Sequence, residues 1–135
     1  MGGFLAIVMS RFLPIETVIA FAPQFSVDPN VVPWEDRWKV YRDAIEAYHI
    51  RDAGSYFVSG TTYFLLSGGR GADLQQARLY PVQSNVNHFL FPELHHKVAA
   101  ALKAAGKLNM VVQQAFDGQI DAGAWGDFRN ERLSP

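Results

Sequence analysis

Cysteine is absent from the 135 residues, so this chain can build no disulfide framework, no thiolate metal site and no Cys nucleophile. An excess of charge is lacking too. Its 12 Lys and Arg face 13 Asp and Glu, a formal net charge of −1, and the basic residues are scattered singly, so no field attracts a phosphate backbone and no nucleic acid partner is expected. No uninterrupted apolar run reaches the about 20 residues of a membrane-spanning helix. The apolar N-terminus is broken by Arg11, Pro14 and Glu16, and no Lys or Arg precedes it, so neither a span nor a secretory signal is expected and the chain reads as cytoplasmic. Four His and the carboxylates form neither H-E-x-x-H nor an EF-hand loop, and both G-x-G-x-x-G and G-x-x-x-x-G-K-[ST] are missing. No metal and no cofactor is expected.

What the chain does hold is core-forming material. Hydrophobic residues make up 49% and aromatics 13%, against 19% charged, which suits one folded domain at a length too short for two. Phe4 to Leu13 is apolar nearly all round, which predicts a well-covered helix stopped by Pro14. Thr17 to Ala22 is a β-branched run apolar on both faces, the pattern of a strand inside a parallel sheet. The segment APQFSVDPNVVP, with three prolines, predicts a loop leaving the C-terminal end of that strand. After Pro33, Glu35 and Asp36 favour a helix start, and Trp34, Trp38, Tyr41, Ile45 and Tyr48 recur at helical spacing.

Thr61 to Ser67 predicts a second interior strand, followed at once by Gly68, Gly69, Arg70 and Gly71. Asp73 is placed to cap a short helix through Leu79, and Val82 to Val86 reads as a third strand running into Asn87 and His88. Pro92 to Ala105 predicts a helix stopped by Gly106, and Asn109 is placed to cap a last one, MVVQQAF. The expected class is α/β: a three-layer sandwich with a mostly parallel sheet of about three strands, over residues 1–116, with 117–135 as a loose C-terminal tail.

The start MGGFLAIVMSRF, followed by a strand and APQFSVDP, resembles the α/β-hydrolase superfamily read from the residue just after its nucleophile. The nucleophile elbow there is Gly-x-Ser-x-Gly, a tight strand-to-helix turn that lifts the Ser hydroxyl above the sheet. Met1, Gly2 and Gly3 match the last part of it, with the Ser falling one position before Met1. The resemblance implies a partial α/β-hydrolase-like fold over nearly the whole chain. It implies a serine hydrolase acting on a small-molecule acyl substrate (ester, thioester or amide) in the full-length protein. The triad acid is then expected after the second strand, at Asp73, and the general base after the last strand, at His88, with the elbow remnant helping to hold the oxyanion. Lacking the Ser, the 135 residues are expected to be inactive alone, as a fragment or as a start placed inside a longer reading frame. The region after the first strand corresponds to a lid, which makes Phe25, Trp34 and Trp38 candidates for an apolar substrate pocket.

Other readings compete. His95 and His96 are adjacent on the helix expected from Pro92 and so on different faces; one of them can approach the site, though a solvated or satisfied histidine is the simpler reading, and His49 reads as a partner for a helix C-terminus. The Gly68–Gly71 turn invites a phosphate-cradle reading with Arg70 as the added charge, but a turn that needs glycine explains it more simply. An alternative of a different class is a noncatalytic binding module on half a hydrolase scaffold, whose exposed sheet edge would seek a partner or a second copy in a homodimer.

Overall fold

The computed structural model describes residues 1–125, 128 and 131–133. Helix α1 (Gly2–Met9) leads through a turn into strand β1 (Thr17–Phe21). A long irregular connection, with one helical turn α2 (Lys39–Arg42) and a 3₁₀ turn at Gly54–Tyr56, reaches β2 (Thr62–Gly68). Then come α3 (Gly71–Ala77), β3 (Val86–Phe91), α4 (Val98–Ala104), α5 (Leu108–Phe116), a 3₁₀ turn at Ala122–Trp125 and β4 (Glu131–Leu133). The fold is α/β. The sheet order is β1-β2-β3-β4; β1, β2 and β3 are parallel, with Val18 beside Tyr63 and Leu65 beside His88, and β4 closes the far edge antiparallel to β3. Among the described residues β1 pairs only with β2, so its other edge is unpaired.

Strand alternation splits the core in two. Val18, Ala20, Tyr63, Leu65 and Val86 meet Phe4, Ile7 and Val8 of α1 and Tyr80 on one face. Phe64, Leu66, Phe89 and Phe91 meet Val98 and Leu102 of α4, Val111 and Ala115 of α5, and Trp125 on the other. Helices therefore cover both faces, as a parallel sheet requires. No described helix is long and apolar enough to cross a membrane.

Three expectations change here. The Trp-rich helix shrinks to one turn, because the Glu35 carboxylate turns back to accept the Arg37 backbone N–H and replaces a helical bond; Val40 and Tyr41 are left exposed. The third strand runs Val86–Phe91 rather than Val82–Val86, since Asn87 and His88 are tolerated inside it by polar partners rather than ending it. The segment after Asp117 is not loose throughout. Trp125 is fully buried against Phe89 and Phe91, its indole N–H donates to Gln114 at 2.8 Å, and Glu131–Leu133 adds the fourth strand. Positions 126, 127, 129, 130, 134 and 135 of that tail lie outside the described residues.

Candidate functional site

In a parallel sheet the loops after the strands open on one edge, where side chains distant in sequence can meet. Two such loops converge here because of glycine. A Cβ on Gly68 would stand 2.4 Å from the His95 carbonyl oxygen, and one on Gly69 would stand 2.5 Å from the Pro92 Cα. The loop after β3 thus lies directly on the end of β2, closer than any side chain would allow. Gly69 donates its N–H to the Phe91 carbonyl at 2.8 Å. Arg70 fastens the same loop, with Nε donating to the Pro92 carbonyl at 3.0 Å and a guanidinium nitrogen pairing with Glu93. This charge is therefore engaged by a carboxylate, and the Gly-rich turn serves close approach.

The loop so placed carries His96, and its Nδ1 lies 3.1 Å from the Asp73 Oδ1. A carboxylate only accepts, so Nδ1–H donates and a neutral imidazole keeps a free lone pair on Nε2. Asp73 sits in the first turn of α3 with its side chain 7% exposed, whereas the His96 side chain is 48% exposed and open to an incoming proton donor. Asp73 does not cap its helix; its Oδ1 also accepts from Arg37 Nη1 at 2.8 Å.

Behind the pair lies a chain of bonds that runs from part-buried at Arg37 to buried at Gln76. Arg37 forks onto Glu35, with Nε to Oε1 at 2.8 Å and Nη2 to Oε2 at 2.5 Å. Glu35, fully buried, also accepts from Gln76 Nε2 at 3.1 Å. The Gln76 amide is saturated: Oε1 accepts the backbone N–H groups of Phe25 and Ser26, and Nε2 donates to the Ser26 carbonyl as well as to Glu35. Burial by itself pushes the Glu35 carboxyl up, but the Arg37 fork and the Gln76 amide outweigh it and hold it at about 2. The Glu35 carboxylate raises the Arg37 guanidinium above its ordinary value, burial opposes this, and Asp73 adds to the rise. This network ties the loop after β1 to α3 and, through Asp73, to the loop after β3.

His88 stands elsewhere. It lies in the middle of β3 rather than in the loop after it, 3% exposed, with Nε2 2.9 Å from the Ser67 hydroxyl of β2 and its ring edge-on to Tyr80 at 5.7 Å. Burial pushes its imidazole down to about 4, so it is neutral in the core. The bonds to the Asp73 carboxylate come from Arg37 and His96, not from His88. The sequence reading of His88 as the partner of Asp73 is therefore replaced by His96. The sequence carried a signal for this, a His-His pair between a strand-ending Pro92 and an apolar helix, but starting the helix at Pro92 instead of Val98 put both histidines on it.

At the start of α1 a Cβ on Gly3 would touch Pro23 at 3.0 Å and Ala20 at 3.3 Å, so the helix start packs tightly on the end of β1; Gly2 has open space around it. Met1, 54% exposed, lines an apolar groove of about 310 Å³ with Val27, Trp38, Tyr41, Arg42 and Ile45. Of the three pocket candidates only Trp38 lines it. Phe25 packs edge-on to Tyr80 at 5.2 Å in the α1-side core, and Trp34 is half-buried outside the groove. Among the described residues no group of three or more His, Asp or Glu is arranged to hold a metal ion. No protein-family model, no curated protein and no solved structure matches this chain.

Proposed function

We propose that this chain is the C-terminal part of a serine hydrolase of the α/β-hydrolase type, with Asp73 as the acid and His96 as the general base. The observation that carries the reading is the Asp73–His96 pair at 3.1 Å on the C-terminal edge of the parallel sheet. The acid follows β2 and the base follows β3, in the chain order that the superfamily uses after its elbow. In this reading a Ser hydroxyl one position before Met1 attacks the acyl carbon, and His96 Nε2 takes its proton. Backbone N–H groups at the start of α1 help hold the oxyanion. The leaving alcohol, thiol or amine departs with the proton returned by His96; water deprotonated by His96 then attacks the acyl-enzyme, and the imidazolium returns that proton to the Ser oxygen as the acid leaves. Asp73 holds the imidazole in the tautomer that leaves Nε2 free.

The test is labelling with a fluorophosphonate, together with turnover of an activated short-chain ester, on the chain carried upstream through the residue before Met1. Labelling that disappears in His96→Ala and persists in the folded fraction of His88→Gln is expected. No labelling, or labelling indifferent to His96→Ala, overturns the assignment.

One observation favours a second reading, a noncatalytic interaction module. Met1, Leu5, Met9 and Phe12 form an exposed apolar stripe at helical spacing along and just beyond α1, and among the described residues β1 leaves one edge unpaired. A chain that labels in no form and sediments as a stable dimer supports this reading over the first.

A further inference from the structure

We infer that Arg37 is the positioning residue of the Asp73–His96 pair: it turns the Asp73 carboxylate away from its own helix and fixes it on His96, so that the imidazole keeps its proton on Nδ1. The inference rests on the reading of that pair as acid and base. An acidic residue in the first turn of a helix has an alternative use, reaching back to the unpaired N–H groups of that turn. At α3 no side chain does this, although Asp73 is in place for it. What Asp73 does instead is accept on one oxygen, Oδ1, from both Arg37 Nη1 at 2.8 Å and His96 Nδ1 at 3.1 Å.

Arg37 can impose that choice because it is itself immobilised. Its other two guanidinium nitrogens are forked on Glu35, its backbone N–H donates to the same carboxylate, and Glu35 is anchored by the saturated Gln76 amide. A planar guanidinium with two nitrogens fixed has no freedom left in the third, so Nη1 points at one place. The bond from Arg37 to Asp73 crosses 36 residues of sequence and joins the loop after β1 to the start of α3, which makes the geometry of the pair depend on that loop. A buried carboxylate needs donors for its oxygens, and Arg37 supplies one beside His96.

The test reads the tautomer of His96 by ¹⁵N NMR on the 135-residue chain, above the ordinary imidazole range of pH, in wild type, Arg37→Gln, Arg37→Lys and Asp73→Asn. Asp73→Asn supplies the spectrum of a released imidazole. The wild type is expected to show one protonated nitrogen, Nδ1, and one unprotonated nitrogen, Nε2. Arg37→Gln is expected to lose the single tautomer and move toward the Asp73→Asn spectrum, with the backbone amides of β2 and β3 unchanged; Arg37→Lys, which keeps a cation but cannot fork on Glu35 while holding Asp73, is expected to do the same. An Arg37→Gln protein with the wild-type tautomer overturns the inference, and so does a folded Arg37→Lys protein with the wild-type tautomer. Where Arg37→Gln does not fold, Arg37→Lys decides alone in the same two ways. The readout is independent of turnover, so failure of the hydrolase reading, seen as no fluorophosphonate labelling, is distinguished from failure of the Arg37 positioning, seen in the tautomer.

Discussion

Two imidazoles in this molecule each stand about 3 Å from an oxygen, and only one belongs to an open site. His88 faces the Ser67 hydroxyl at 2.9 Å, an arrangement that on distance alone looks like a base beside a nucleophile. Both residues are interior to strands, at 3% and 1% exposure, and nothing can reach them. His96 faces Asp73 at 3.1 Å from a loop at the strand ends, with half its side chain open. The difference teaches that donor–acceptor distance does not make a site. The first pair satisfies two polar groups that strand alternation turns into the core; the second leaves one ring nitrogen free at an accessible edge.

The comparison breaks most sharply under substitution in the upstream-extended form. His96→Ala should lower fluorophosphonate labelling by about 10³-fold or more, as loss of a general base does, whereas His88→Gln should leave labelling of the folded protein intact. Equal losses in the two would erase the distinction.

The next effect separates the two imidazoles by pH. The His88 imidazole is held at about 4, below its ordinary 6.5, so the unfolded chain takes up a proton first as pH falls. Its contribution is complete above about 6.5 and is lost between there and about 4, by at most roughly 3 kcal/mol. Urea unfolding at several pH values should show this limb in wild type and a flatter one in His88→Gln; an unchanged limb in the variant would remove His88 as its cause. A separate loss should follow as pH falls below 4.5 toward 2, where the Glu35 carboxylate, depressed in the fold, takes its proton.

Gly68→Ala should cost about 1–3 kcal/mol, because its Cβ would meet the His95 carbonyl at 2.4 Å and the loop must move. The same shift should part His96 from Asp73, so thermal melting and fluorophosphonate labelling should fall together; a melting loss with full labelling would show that the loop can yield without moving His96. Smallest is Arg70→Ala. The Arg70–Glu93 pair is exposed on both sides, so its removal should change stability by less than about 1 kcal/mol by denaturant unfolding. A larger loss would assign Arg70 more than loop fastening.

Much of the frame was legible. Thr17–Phe21 and Thr62–Gly68 stand within a residue of the runs that predict them, because β-branched stretches apolar on both faces have few places to go except the inside of a parallel sheet. Asp73, just past the second strand in the first turn of α3, was legible by position. The helix from Pro33 was not, because nothing local announces that Glu35 will be buried by a partner 41 residues away. His96 was missed for the same kind of reason: the six residues from Pro92 to Lys97 look helical alone and form turns because they must pass over Gly68 and Gly69.

The sequence by itself determined the class of the fold, the parallel core strands, the absence of any thiol chemistry, and the presence of one Asp at the right edge of the sheet. Those are consequences of composition and of short-range periodicity. Which histidine meets that Asp, which carboxylate is buried, and which arginine holds them were decided only by the tertiary structure. They depend on contacts between residues 23 to 41 positions apart, on two glycines that let one loop lie on another strand, and on strand alternation that turned His88 inward.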